Sequence, residues 1–168
     1  MKILTVASMR SGSSWLHNVV KHVAVMKYPD AFFKKTHLLE PGTKRMIAGG
    51  AIVVSSTREP ADAVIASFEA APRFRGSPDK YRSNTFVKAI RQSIEDCKTV
   101  RADLRTTYEE ITEDPVGVVR KVLELFDQDQ EQAYGIAYRF RKGACPNWYT
   151  EGHIAKYGTD EEVFKDVA

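Results

Sequence analysis

With 168 residues, 43% of them apolar, the chain is long enough for one hydrophobic core, and we expect a single domain over residues 1–168. The formal net charge of +3 comes without a dense block of lysine and arginine, which argues against nucleic acid as a partner and suits a small anionic ligand. Two cysteines are too few for a disulfide scaffold, and no run of residues reads as a signal peptide or a membrane span. We therefore expect a cytoplasmic protein, of an oligomeric state that composition leaves open.

Predicted strands and helices alternate along the chain. Strands are predicted for residues 2–7, 31–37, 51–57 and 104–108, and helices for 13–26, 41–50, 60–71, 84–102, a stretch that Asp114 caps and Pro115 begins, and 131–140. The segment 72–83, with proline, glycine and four basic residues, is predicted to be a loop. This alternation favours a three-layer α/β/α fold around a short, mainly parallel sheet, with ligands beyond the carboxyl ends of the strands.

The loop after the first strand has the composition of a phosphate-binding loop. It reads SMRSGSSWL over residues 8–16, with small residues, a glycine and several hydroxyls before a helix. Backbone N–H groups in such a turn and the positive end of the following helix favour an anion. The alternative is an ordinary polar turn with a serine cap, because short glycine and serine loops are common.

Comparison with the ATP-binding loop argues against a magnesium nucleotide. Ser13 stands where that loop carries its lysine, and Ser14 stands at the magnesium-binding hydroxyl. The strand 51–57 is followed by Arg58 rather than ending in the aspartate that usually completes the metal site. A kinase of a small substrate stays open as the alternative enzyme.

Five segments, in order, resemble the sulfotransferases that use 3'-phosphoadenosine 5'-phosphosulfate (PAPS). They are SMRSGSSW, KKTH, STREPADAVIAS, TTYEEITEDP and FRKGACPNW, and they span nearly the whole chain. The resemblance implies a P-loop-like sulfotransferase fold, PAPS as donor, 3'-phosphoadenosine 5'-phosphate (PAP) as product, and no metal. The acceptor would be a small molecule, a saccharide or a peptide.

The resemblance also implies which residues bind the donor. The 5'-phosphosulfate loop would comprise Arg10, Ser11, Gly12, Ser13, Ser14 and Trp15. The 3'-phosphate would be bound by Arg58, Ser67, Arg141, Lys142 and Gly143, and Tyr108 would lie near the adenine. Several positions depart from the family pattern. Arg10 replaces a frequent lysine, Ser67 falls one place later than the usual serine, and Pro146 and Asn147 replace a more usual glycine and aspartate.

His37 is the predicted general base. Transfer to an alcohol or amine requires removal of the acceptor's proton, and a histidine with an ordinary pKa of about 6.5 suits that task at neutral pH. Lys35, Arg10 and Ser14 would stabilise the charge that develops during transfer. His17 and His22, on the first helix, are predicted to be packing or surface residues. The alternative to an enzyme is a non-catalytic module that binds PAP or another nucleotide and retains the anion-binding sites.

Overall fold

A computed structural model describes residues 1–69 and 85–141. Within these ranges four parallel strands form one sheet in the order β2-β1-β3-β4: β1 (Lys2–Ala7), β2 (Phe32–Thr36), β3 (Ile52–Thr57) and β4 (Leu104–Thr107). The register pairs Val6 with Thr36, and Ala7 with Ser56, so the carboxyl ends of neighbouring strands lie level. The predicted parallel sheet is confirmed.

Seven α-helices connect or follow these strands in the described ranges: α1 (Ser13–Lys27), α2 (Pro41–Ala48), α3 (Pro60–Glu69), α4 (Thr85–Thr99), α5 (Tyr108–Glu113), α6 (Pro115–Leu125) and α7 (Ala133–Arg139). A single 3-10 turn, Gln130–Gln132, precedes α7 in place of the start of the predicted helix 131–140. No described helix has the length and apolarity that crossing a bilayer would require.

Capping explains where the chain turns after β4. The predicted strand 104–108 is one residue too long, because Tyr108 begins α5. Thr107 accepts a hydrogen bond from the Glu110 N–H, and the Glu110 carboxylate accepts one from the Thr107 N–H, which forms a capping box. Asp114 caps α6 as predicted, because its Oδ1 accepts from the Gly117 N–H at 2.8 Å.

Apolar side chains cover both faces of the sheet. Ile3 and Val54 point to one face, where they pack with α1, α6 and α7. Leu4, Val6 and Val53 point to the other, where they meet α2 and the end of α4. Since successive side chains of a strand alternate between faces, this distribution makes the three-layer α/β/α architecture that the sequence predicts.

Sheet order also creates a crevice at the carboxyl edge. The chain leaves β1 for α1 on one face of the sheet, and it leaves β3 for α3, which packs on α4 at the other face. Loops that diverge in this way leave a gap between neighbouring strands, the usual ligand position in open α/β sheets. The loop 8–12 and the residues after β3 border this gap.

Candidate active site

Two left-handed residues shape the loop between β1 and α1. Arg10 has φ 64° and Gly12 has φ 71°, the region that favours glycine. A Cβ on Gly12 would lie 3.0 Å from Cδ1 of the buried Ile111 on α5. Glycine therefore meets two requirements at this position, backbone conformation and close packing.

Side chains from β3 and α4 form hydrogen bonds that hold the loop between β1 and α1 in place. The Ser11 hydroxyl donates to the Ser8 carbonyl at 2.7 Å and shares a hydrogen bond of 2.8 Å with the Ser56 hydroxyl. The Met9 N–H donates to Ser93 Oγ at 3.2 Å. Sequence reasoning did not identify Ser56 or Ser93, and the one local signal was the polar end of an otherwise apolar strand.

The first turn of α1 presents backbone donors without a side-chain cap. Gly12 occupies the N-cap position and contributes no side-chain hydrogen bond, so the serine cap of the alternative interpretation does not form. Ser13 and Ser14 are the first two helical residues. Trp15 is only 1% exposed and lies in the core, and its indole Nε1 is buried without a hydrogen-bond partner in the described part of the chain.

Lys35 reaches this turn from the neighbouring strand. Its register partner on β1 is Thr5, and its ammonium donates to Ser14 Oγ at 2.8 Å. Burial lowers the pKa of the Lys35 ammonium, since a partly buried cation loses hydration. A cation thus lies beside the loop although position 13 lacks the lysine of ATP-binding loops.

His37 follows β2 and contacts the end of β1. Its Nδ1 is 2.7 Å from the Ala7 carbonyl oxygen. A carbonyl oxygen only accepts, so Nδ1 carries the proton and the neutral ring has its basic lone pair on Nε2. The base predicted from the sequence therefore lies at the foot of the loop in a defined tautomer.

His17 is a neighbour of Lys35 that sequence reasoning assigned to packing or the surface. It lies on α1 one turn after Ser14, and its Nδ1 shares a hydrogen bond of 3.1 Å with the Thr5 hydroxyl. Burial, with smaller contributions from Lys35 and Lys21, lowers the pKa of His17 to about 4. The imidazole is consequently neutral at physiological pH and adds no positive charge beside Lys35.

Arg58 directly follows β3 and therefore lies on the other side of the phosphate loop from Lys35, which is on β2. Its guanidinium carbon is 3.9 Å from the centre of the Tyr108 ring, and its Nη1 donates to the Arg10 carbonyl at 3.4 Å. The Nε atom is buried without a hydrogen-bond partner in the described part of the chain. Stacking on Tyr108 orients the guanidinium and leaves it with unused donor capacity.

For Ser67 and Arg141, the contacts that the structure describes lie within their own segments. Ser67 is fully buried on α3, and its hydroxyl donates to the Ala63 carbonyl at 2.7 Å. Arg141 follows α7 and stacks at 3.6 Å on the Tyr138 ring. Lys142 and Gly143 lie outside the described residues, as does the predicted loop 72–83. Their roles stay predictions.

Comparisons with known proteins identify the fold. No protein-family model matches the chain, and no curated protein sequence matches it. The chain is similar to the crystal structure of retinol dehydratase in complex with androsterone and the inactive cofactor PAP, with a TM-score of 0.62 and 12% identity over 87% of this chain. The structure of mouse sulfotransferase SULT7A1 complexed with PAP matches with a TM-score of 0.49 and 15% identity over 82% of this chain. The chain spans 66% of the length of each of these structures. From the first likeness and the parallel sheet, the chain has the sulfotransferase fold that its five segments predict.

Proposed function

We propose that this protein transfers the sulfuryl group of PAPS to a hydroxyl or amine of an acceptor and releases PAP. The observation that carries the proposal is the convergence of an anion-binding loop, a lysine, a histidine and an arginine at one edge of the sheet. Lys35 lies on β2, His37 directly follows it, and Arg58 follows β3. The fold is that of a structure that contains PAP.

The side chains present fit a ligand with two anionic ends. Residues 11–14 would bind the 5' end, since this turn offers backbone donors and has no Cβ at Gly12. Arg58 would bind the 3'-phosphate, because its buried Nε needs an acceptor and guanidinium suits phosphate. Arg141, Lys142, Gly143 and Ser67 are proposed to contribute to the same phosphate, and Tyr108 to lie beside the adenine.

The chain's own residues would move the proton and stabilise charge. Bound PAPS would supply the sulfuryl group, whose bond to the 5'-phosphate oxygen breaks as the acceptor oxygen or nitrogen attacks. His37 would take the acceptor's proton at Nε2, and the Nδ1–H bond to the Ala7 carbonyl would stabilise the resulting imidazolium. Lys35, Arg10 and Ser14 would stabilise the negative charge on the transferring group and on the departing phosphate oxygen.

One contact disfavours the kinase alternative. In an ATP-binding loop the hydroxyl at position 14 would be a magnesium ligand. Here the Ser14 hydroxyl accepts from the Lys35 ammonium at 2.8 Å. A second cation at the same oxygen would meet like-charge repulsion in a partly buried site.

Calorimetric titration of the wild type and Arg58→Ala with PAP, ADP and ATP-Mg tests the proposal. We expect the wild type to prefer PAP. Arg58→Ala should weaken PAP binding by about 1.5 to 3 kcal/mol and leave ADP binding nearly unchanged, since a charge-assisted bond to the 3'-phosphate is lost. Arg45→Ala, on α2, serves as the matched control and should leave both ligands unaffected.

Other results would favour the alternatives. A preference for ATP-Mg would replace the proposal with the kinase. PAP binding without turnover across small phenols, sterols, saccharides and peptides would instead favour the non-catalytic module. If Arg58→Ala weakened PAP and ADP binding equally, Arg58 would not bind the 3'-phosphate.

A further inference from the structure

We propose that Asp96, on α4, is a positioning residue that sets the place of His37 relative to the phosphate loop. This inference rests on the proposed function for the role of His37. It depends on hydrogen bonds between α4 and two segments that are distant in sequence. Asp96 is separated from its backbone partner by 57 residues.

The carboxylate of Asp96 is bound at both oxygens. Its Oδ2 accepts from the Leu39 N–H at 2.7 Å, and its Oδ1 accepts from Nε2 of Gln92 at 2.9 Å. Gln92 lies one turn earlier on α4, where residues four apart share a face. Because both oxygens are engaged and the residue is half-buried, the carboxylate has little freedom to turn away from Leu39.

The segment that Asp96 contacts lies beyond the hydrogen-bonded part of the sheet. Thr36 is the last residue of β2 with a register partner on β1. After it, the Thr36 hydroxyl donates to the Leu38 carbonyl at 2.9 Å and accepts from the Leu38 N–H at 3.3 Å, which closes a local turn around His37. The Asp96 bond therefore links this turn to the body of the protein two residues after the base.

The same helix also fixes the phosphate loop. Ser93, three residues before Asp96, accepts from the Met9 N–H at 3.2 Å. One turn of α4 thus carries both contacts, to the loop and to the segment after His37. Since a helical turn is rigid, the spacing between loop and base is set by α4 as well as by the sheet.

Misplacement of a base by about 1 Å is enough to cost up to about 100-fold in rate, so loss of this contact should appear in turnover. We expect Asp96→Ala to lower kcat by about 10-fold, with the dissociation constant for PAP changed by less than about twofold. Asp96→Asn keeps an oxygen that accepts from the Leu39 N–H and should restore kcat to within about threefold of the wild type. Asp96→Glu, which moves the carboxylate by one methylene, should fall between them.

Asp103→Ala is the matched control. Asp103 Oδ2 accepts from the Val53 N–H at 2.8 Å, a similar bond at the opposite end of the sheet. We expect this variant to lower the melting temperature without changing kcat. Melting curves for every variant would define a temperature at which all are folded.

The readout that needs no acceptor is the ¹⁵N spectrum and titration of His37 by NMR. In Asp96→Ala the His37 signals should shift, and in Asp96→Asn they should return to the wild-type position. If they shift as expected while PAP fails to bind, the proposed function is wrong and the positioning by Asp96 stands. The inference is overturned if Asp96→Ala leaves kcat and the His37 signals unchanged, or if Asp96→Asn is as defective as Asp96→Ala.

Discussion

The two ends of the sheet use the same kind of bond for different purposes. At the carboxyl end Asp96 accepts from the Leu39 N–H at 2.7 Å, and at the amino end Asp103 accepts from the Val53 N–H at 2.8 Å. His37 lies two residues before Leu39, and Ser93, on the same helical turn as Asp96, contacts the phosphate loop, whereas Asp103 lies beside Ile47, Ile52 and Arg101. A hydrogen bond from a backbone N–H to an aspartate therefore indicates a functional site only where candidate catalytic or ligand-binding residues lie nearby.

The difference between the ends has a physical origin. In a parallel α/β sheet the helices begin near the carboxyl edge, so their positive ends and unpaired N–H groups gather there. The amino edge instead carries exposed apolar residues, with Met1 57% and Phe32 53% exposed. Strand direction therefore assigns anion chemistry to the carboxyl end of the sheet.

The largest effect is expected from His37. His37→Ala should lower the rate of sulfuryl transfer by about 100-fold or more while leaving PAP binding nearly intact, because a positioned base is lost. Phe32→Ala, at the amino end of the strand that His37 follows, is the control and should stay within about twofold of the wild-type rate. Transfer assays with titration of PAP would measure both. An unchanged rate in His37→Ala would remove the base from the mechanism.

We expect His17 to make the stability of the folded protein depend on pH. Its pKa is about 4 in the folded protein against an ordinary 6.5, so the unfolded chain binds more protons between those values. The free energy of unfolding should consequently fall as pH is lowered from 6.5 towards 4, by about 3 kcal/mol from this residue.

Urea unfolding of the wild type and His17→Gln across this range would measure the effect. In His17→Gln, we expect the free energy of unfolding to lose most of the pH dependence that His17 contributes. His22→Gln is the control, since burial and Arg139 lower the pKa of His22 in the same direction but to a smaller extent. An unaltered slope in His17→Gln would mean that His17 is not neutral and buried beside Lys35.

The smallest effects are expected from Gly12 and Gly50, which have positive φ angles at the carboxyl and amino ends of the sheet. Gly12 has φ 71°, and a Cβ added there would lie 3.0 Å from Ile111, whereas Gly50 has φ 81° and an added Cβ would meet no described atom within 4 Å. Gly50→Ala should cost about 1 kcal/mol of folding free energy, from conformation alone. Gly12→Ala should cost about 2 kcal/mol and also weaken PAP binding, because the loop must shift. If Gly12→Ala and Gly50→Ala were equally stable and Gly12→Ala bound PAP as the wild type does, packing at Gly12 would be unimportant.

Much of the fold could be predicted because its signals are local. The first strand was predicted with its observed bounds, and α1 was predicted to end one residue early, because apolar periodicity and a glycine loop are read within a few residues. Asp114 and Pro115 marked the start of α6 for the same reason. The start of α5 at Tyr108 was missed, since β-rich residues run directly into the capping box of Thr107.

The order of functional groups along the strands can be predicted from the sequence: a phosphate-type loop, then a lysine and histidine, then an arginine, each at the end of a predicted strand. Which atoms come into contact depends on the tertiary structure. Ser11 with Ser56, Met9 with Ser93, and Leu39 with Asp96 are contacts across 45, 84 and 57 residues. Such contacts depend on how helices pack on the sheet, and no local pattern of hydrophobicity or turn residues encodes that packing. The tautomer of His37 was decided in the same way, by the Ala7 carbonyl of a neighbouring strand.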